Sequence, residues 1–293
     1  MRVEDLDGPR VKPGAEQKAL EDLRWLGLDW DEGPDAGGPS GPYRQSERAE
    51  LYRETIEKLR AKGLSYPCVC TRSEVERAAS APHAGENETR YPGTCRGRFS
   101  GAEEAEEKTG RPAAVRIRVP EGSVAFPDLF HDSFSFEVAQ QCGDFVIEKV
   151  ERSGPKAGLR TAAYQLACVV DDAAMRIDEV LRGDDLLSST SRQILLQRAL
   201  GVPTPRYAHL PLLVGEDGRR LAKRHGDTTI RRFREAGASP ETVTGWLAAV
   251  SGLLPPGSRA HPRELVGGFS LQKVPRHTIV VPARTIQELE SIS

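Results

Sequence analysis

Three thiols and a phenol fall close together in this chain, as Cys68-Val69-Cys70 and then Tyr91-Pro92-Gly93-Thr94-Cys95. Zinc takes four tetrahedral ligands, and thiolates on tight turns supply them readily. On spacing alone, a zinc staple and a set of unrelated reduced thiols fit equally well. Cys142 and Cys168 lie apart from this group, and Cys168 sits in an apolar helix, so core packing is the expectation for both.

A second chemical feature is a basic loop. From Arg219 to Arg234 there are seven Lys and Arg (Arg219, Arg220, Lys223, Arg224, Arg231, Arg232, Arg234) against one acid, Asp227. A local charge of +6, in a chain whose total is −2, points to a polyanion at that place, either a triphosphate or RNA. The run follows a strand and the turn Gly215-Glu216-Asp217-Gly218, which mounts a loop beside a sheet edge. Lys223 stands where it can meet a phosphate as a point charge. Glu4 and Arg182 form a third set. A carboxylate and a guanidinium at the ends of separate strands can hold an amino acid by its ammonium and a carboxylate. Surface ion pairing is the plain alternative for these two, solvated charge is the alternative for the loop, and core packing is the alternative for Tyr164.

These groups need a scaffold. The 293 residues suffice for one large domain or two modest ones with an ample core. No apolar run is long enough for a transmembrane helix, and the acidic start MRVEDLDGPR has no apolar secretion segment, so no membrane partner is expected. Five cysteines, an odd number, argue against a disulfide framework and for the cytoplasm. Helical spacing appears at Pro13–Leu28, Ser46–Lys62 and Tyr164–Met175, and alternation marks strands at Ala114–Val119, Phe145–Val150 and Glu179–Leu181. Ser189 or Thr190 is the expected cap of a helix ending at Leu200. Ser239-Pro240-Glu241 is a strong helix start, following a short helix at Thr228–Ala236. Residues 67–112 read as an insertion with little core of its own, Ser153–Arg160 as a surface turn, and the last forty residues carry little pattern. Strands alternating with helices imply an α/β fold with a mainly parallel sheet.

Taken in order, RVEDLDGPR, the Cys-x-Cys…Tyr-x-x-x-Cys insertion, AYQLACVVDDA, RGDDLLSSTSRQ, HLPLL and RLAKR resemble the glutamyl-tRNA synthetase lineage of class I synthetases over about residues 1–227. The resemblance implies a Rossmann-type nucleotide-binding fold in four parts. These are the first half of the catalytic domain (1–66), a zinc-binding insertion (67–112), the second half (113–205), and a KMSKS-type loop with a small helical C-terminal subdomain (206–293). It also implies roles. Glu4 would bind the ammonium of glutamate, with Tyr164 and Arg182 completing that pocket. Cys68, Cys70, Tyr91 and Cys95 would hold structural zinc. Lys223 would be the catalytic lysine on the ATP phosphates, with Arg220 beside it and Mg2+ accompanying the ATP.

Only about 70 residues follow Lys223, so the short form without an anticodon-binding domain is implied. Its reaction makes glutamyl-adenylate without needing tRNA, then passes glutamate to queuosine in the anticodon of tRNA(Asp). The chain departs from the family at three places. Arg220 and Ala222 stand where the pattern carries Lys and Ser, and Ser153–Arg160 is long. The family's first strand, its HIGH-type ATP motif and a glutamate-binding Arg precede the RxEDLD segment and are absent here. The favoured expectation is a start assigned at an internal methionine, with a real truncation as the alternative; either implies an unpaired sheet edge and little adenylate formation by these 293 residues alone. Two rival readings are a fragment of a synthetase that charges tRNA(Glu), and a non-catalytic zinc-stapled RNA-binding protein.

Overall fold

The computed structural model describes residues 1–7, 11–78, 89–151, 158–221 and 229–291. The first helix, α1 (Ala15–Trp25), is shorter than its sequence pattern and buries Leu20. A 3-10 turn at Gln45–Arg48 leads into α2 (Ala49–Ala61). Tyr52, Thr55, Ile56 and Leu59 are buried along α2, the i, i+3, i+4, i+7 stripe that turns one helix face to a core.

The insertion opens with β1 (Ser65–Cys68) and carries α3 (Arg72–Ala78) and α4 (Ala102–Thr109). It has a core after all. Tyr66, Cys68, Val69, Tyr91, Cys95, Phe99, Ala105 and Ala113 form a separate buried cluster, so the expectation of little core is corrected. The cluster works with so few apolar residues because the half-polar side chains Cys and Tyr do the packing.

Beyond the insertion come β2 (Ala114–Ile117), the hairpin strands β3 (Val124–Pro127) and β4 (Ser133–Phe136), the single turn α5 (Val138–Gln141), β5 (Val146–Val150) and β6 (Arg160–Ala162). Next are α6 (Tyr164–Ala174), β7 (Glu179–Gly183), α7 (Leu187–Leu200) and β8 (Arg206–Leu210). Among the described residues the sheets are mixed rather than mainly parallel. The four-stranded sheet β1-β2-β5-β6 is antiparallel throughout, with Ser65 opposite Ile117 and Glu148 opposite Ala162. Antiparallel neighbours need only a turn, whereas a parallel pair needs a crossover. The β7–β8 pair has such a crossover in α7 and is parallel, with Leu181 opposite Ala208. On β7, Leu181 is 52% exposed.

The main core lies between α2, α6, α7 and the sheets, where Leu59, Ile147, Leu166 and Leu196 are wholly buried. α7 is buried nearly all round, including Ser189, Thr190, Gln193 and Gln197. It begins at Leu187, running straight on from a 3-10 turn at Asp184–Leu186, so Ser189 and Thr190 lie inside the helix and are not its cap.

The rest forms a second cluster. Strand β9 (Leu213–Val214) precedes the basic loop, and helices α8 (Ile230–Glu235) and α9 (Pro240–Val250) follow it. Ser239 caps α9 by accepting from the Thr242 amide at 3.2 Å, with Pro240 at the first turn. Residues 254–293, weak in pattern, supply α10 (Pro262–Val266), β10 (Ile279–Val280) and α11 (Ala283–Ser291). β10 pairs in parallel with β9, and Val281, Ile286 and Leu289 pack with Leu26, Phe233 and Val243. Among the described residues no helix is long and apolar enough to cross a membrane.

Candidate functional site

Glu4 is placed by its neighbours in the chain. The Val3 amide donates to Tyr43 O at 2.8 Å and Val3 O accepts from the Gln45 amide at 3.0 Å, a one-residue parallel bridge. Arg2 donates to Asp172 at 2.6 Å, which ties this segment to α6. Beside it, Asp171 is a buried hub. It accepts from Arg48 Nε at 2.6 Å, Gln45 Nε2 at 2.8 Å and Tyr52 Oη at 2.8 Å. Glu4 itself is 41% exposed, accepts from Arg2 at 3.1 Å, and lies 3.6 Å from Cys168 Sγ. Cys168 is therefore more than core packing. Its buried thiol borders the candidate site, and burial, then Glu4, hold it protonated.

Tyr164 opens α6 one turn before Cys168. Burial raises its phenol, Cys168 and Glu4 raise it further and Arg182 opposes them, so Tyr164 lies within electrostatic reach of both other residues expected to hold an amino acid. Arg182 comes from β7 and is fixed on three sides. Nε donates to His209 Nε2 at 3.3 Å, Nη2 donates to Thr190 Oγ1 at 2.5 Å and to Gln193 Oε1 at 2.9 Å, and the guanidinium lies over the Tyr207 ring at 5.4 Å. His209 is wholly buried and bonds Asp128 through Nδ1 at 2.7 Å. Asp128 accepts in addition from the Phe130 and His131 amides, at 2.9 and 2.8 Å. Burial opposes the charge on Asp128, but these donors and His209 bring its carboxyl below the usual range. Sequence reading missed His209, Asp128, Thr190 and Gln193. The one available signal was a polar His at the head of the apolar segment HLPLL.

The turn before the basic loop is built as expected. Gly215 N donates to Arg219 O at 2.8 Å and Leu221 N to Leu213 O at 3.0 Å, closing a hairpin. Arg220 donates to Asp185 Oδ2 at 2.6 Å, linking the loop's base to the Arg-Gly-Asp-Asp turn after β7. Lys223, with Ala222 and Arg224, lies outside the described residues. Some of the basic run is neutralised by acids distant in sequence. Arg231 pairs with Glu21 at 2.8 Å and Asp22 at 3.0 Å, and Arg234 lies 4.0 Å from Asp22, so the field there is weaker than the linear count of charges.

The thiols converge. Cys68, Cys70 and Cys95 place their sulfurs within 4.8 Å of one another. Cys70 and Cys95 are 3.5 Å apart, and Tyr91 Oη lies 3.4 Å from Cys68 and 3.7 Å from Cys70. Four ligands at about 2.3 Å from zinc in a tetrahedron stand roughly 3.8 Å apart, so the donors fit that ion. Gly143, at φ 67°, lets the backbone under Tyr91 come close, since a Cβ there would meet Tyr91 O at 2.5 Å. Without a metal, Cys68 is held as the thiol chiefly by its bond to Cys95, which is correspondingly eased toward the thiolate. Burial, then Cys68, keeps the Tyr91 phenol protonated. Arg116 stacks on the Tyr91 ring at 3.8 Å and donates to Cys68 at 3.3 Å.

This arrangement has a family. Residues 1–259 match the model for "tRNA synthetases class I (E and Q), catalytic domain", and the chain belongs to that family. Within it, the glutamyl-Q tRNA(Asp) synthetase of Symbiobacterium thermophilum is 49% identical over 290 residues, 99% of this chain and 87% of that one. Its counterpart from Nitratidesulfovibrio vulgaris is 43% identical over 292 residues, again 87% of its length. The crystal structure of glutamate-tRNA synthetase from Elizabethkingia anophelis superposes with a TM-score of 0.78 at 28% identity, over 98% of this chain and 62% of that one. The chain thus spans less than two thirds of that enzyme's length.

Proposed function

We propose that this chain is the glutamate-binding and phosphate-binding body of an enzyme that activates glutamate with ATP and transfers it to queuosine in tRNA(Asp), the 293 residues alone forming little adenylate. The observation that carries the reading is 49% identity over 99% of the chain to a glutamyl-Q tRNA(Asp) synthetase, supported by Glu4 and Arg182 within electrostatic reach of Tyr164 and by the Arg220–Asp185 link at the base of the basic loop. In the first step a glutamate carboxylate oxygen attacks the α-phosphorus of ATP, and the bond to the β-phosphate oxygen breaks to release pyrophosphate. In the second, a hydroxyl of the queuosine cyclopentenediol attacks the mixed anhydride's carbonyl. The ester forms, AMP leaves, and the hydroxyl proton passes to solvent. Neither step asks for a strong acid or base on the protein. Both ask for positioning and for neutralising phosphate charge.

The roles follow from chemistry and place. Glu4 holds the ammonium, Arg182 a carboxylate, and Tyr164 closes the pocket with its neutral phenol. Lys223 and Arg220 meet the triphosphate together with Mg2+. The thiols and Tyr91 hold zinc, which when bound staples the insertion as a structural ion and takes no part in the reaction. The test measures transfer of labelled glutamate from ATP and glutamate onto tRNA(Asp) with and without queuosine, and onto tRNA(Glu). Transfer only to queuosine-bearing tRNA(Asp) is expected. Charging of tRNA(Glu) in preference to queuosine-bearing tRNA(Asp), or RNA binding with no binding of ATP or glutamate, overturns the reading.

A further inference from the structure

Burying a His–Asp pair between the end of β3 and β8 is costly, because an apolar pair of the same volume would pack there without desolvation. His209 and Asp128 both have fully buried side chains. The bond from His209 Nδ1 to Asp128 Oδ2 at 2.7 Å fixes the tautomer, since the carboxylate can only accept. The other ring nitrogen, Nε2, is therefore a lone-pair acceptor. It faces Arg182 Nε at 3.3 Å and Thr190 Oγ1 at 2.8 Å. The Thr190 oxygen in turn accepts from Arg182 Nη2 at 2.5 Å, and Gln193 Oε1 takes the same nitrogen at 2.9 Å. Tyr207 covers one face of the guanidinium and stacks near-parallel to His209, 18° off, with centroids 6.0 Å apart. Arg182 thus has Nε and Nη2 committed and one face covered. Among the described residues Nη1 has no protein partner.

We propose that Asp128 and His209 are a positioning pair for Arg182. Asp128 sets the tautomer of His209, and His209 with Thr190 sets the roll of the guanidinium so that the Nη1 edge faces the carboxylate of the bound amino acid. The inference rests on the proposed role of Arg182 in holding glutamate. Its consequence is that glutamate affinity depends on a histidine that does not touch glutamate.

The test uses the full chain and isothermal titration calorimetry with L-glutamate, with thermal unfolding of each variant as a control. His209→Asn keeps an amide near Asp128 but cannot reach Arg182. His209→Gln carries an amide oxygen to where Nε2 lay and loses the link to Asp128. Both variants should lose stability to a similar extent, which a packing role alone also predicts. Affinity separates the two roles. His209→Asn should weaken glutamate binding about tenfold, the loss of one hydrogen bond to a charged group, whereas His209→Gln should stay within about threefold of the parent. Thr190→Val is the milder companion should His209→Asn fold poorly, with an expected loss of about fivefold. Equal glutamate affinities in His209→Asn and His209→Gln, or a parent-like Thr190→Val, overturn the pair's role. An Arg182→Gln variant that binds glutamate as the parent does overturns the underlying reading instead.

Discussion

Replacing Asp171 with asparagine should be among the most damaging changes to this chain outside its apolar core. The carboxylate has no exposed surface and accepts from Arg48, Gln45 and Tyr52, with Arg2 Nε a further 3.8 Å away. Arg48 is itself only 4% exposed, and its other partners are the carbonyls of Pro42 at 2.8 Å and Ser40 at 3.4 Å. Asp171→Asn would leave a buried guanidinium without a counter-ion, a situation that costs about 3–5 kcal/mol. Arg48→Met removes the charge from the other side. Asp171 then keeps Gln45, Tyr52 and nearby Arg2, so a smaller loss of about 1–3 kcal/mol is expected. Once Arg48 is gone, a neutral amide in place of the Asp171 carboxylate strands no charge. The double variant should therefore be more stable than the sum of the two single losses predicts, by at least ~1 kcal/mol. Urea unfolding followed by circular dichroism measures all three, and an unchanged m-value shows that the comparison is sound. A loss below about 1 kcal/mol for Asp171→Asn, or additivity of the single losses within ~0.5 kcal/mol, would refute the hub.

Three further outcomes are expected. Purified chain should carry about one zinc by elemental mass spectrometry, and Cys95→Ser should lose most of it and melt at a lower temperature, as a closed structural site requires. Burial, partly offset by Asp128, pushes the His209 pKa below 6.5 in the folded chain, so near pH 6 the unfolded chain binds more protons. Stability from this group is present above about pH 6.5 and is lost as pH falls below it; urea midpoints at pH 8, 6 and 5 should fall more steeply in the parent than in His209→Gln. Gly245→Ala puts a Cβ 1.9 Å from Ser258 O, a backbone clash that should cost about 2 kcal/mol or more by urea unfolding, even though Ala is the better helix former.

Local signals carried far in this chain. The Ser-Pro-Glu start of α9, the stripe on α2 and the alternation in β2 and β5 each depend on neighbours a few residues away, and each element forms where its pattern lies. The Cys-x-Cys and Tyr-x-x-x-Cys segments could be grouped as candidate ligands from residue type and close spacing, and the three sulfurs do lie within 4.8 Å of one another. What could not be read depends on distant partners. β9 and β10 are two residues each and exist because they pair with each other. Thr190 looked like a cap by residue type, yet a 3-10 turn begins the helix earlier and leaves the hydroxyl to Arg182. His209 and Asp128 are far apart in the chain, so nothing near either one announces the bond. The basic run misled in the opposite direction, because Asp22, Glu21 and Asp185 supply its counter-charges from other parts of the fold.

The parallel pairing of β9 with β10 bears on how the chain is made. Leu213 and Val214, the strand that feeds the basic loop, find their ladder partners in Ile279 and Val280, and Val281 donates to Val214 O at 2.8 Å. A contact so long in sequence closes late, after the local helices have formed. On the ribosome, that ladder waits until Ile279 and Val280 have emerged, although the hairpin at the loop's base can close on its own. A nascent chain could therefore have the proposed amino-acid pocket and the local hairpin built while β9 still lacks its long-range ladder partner.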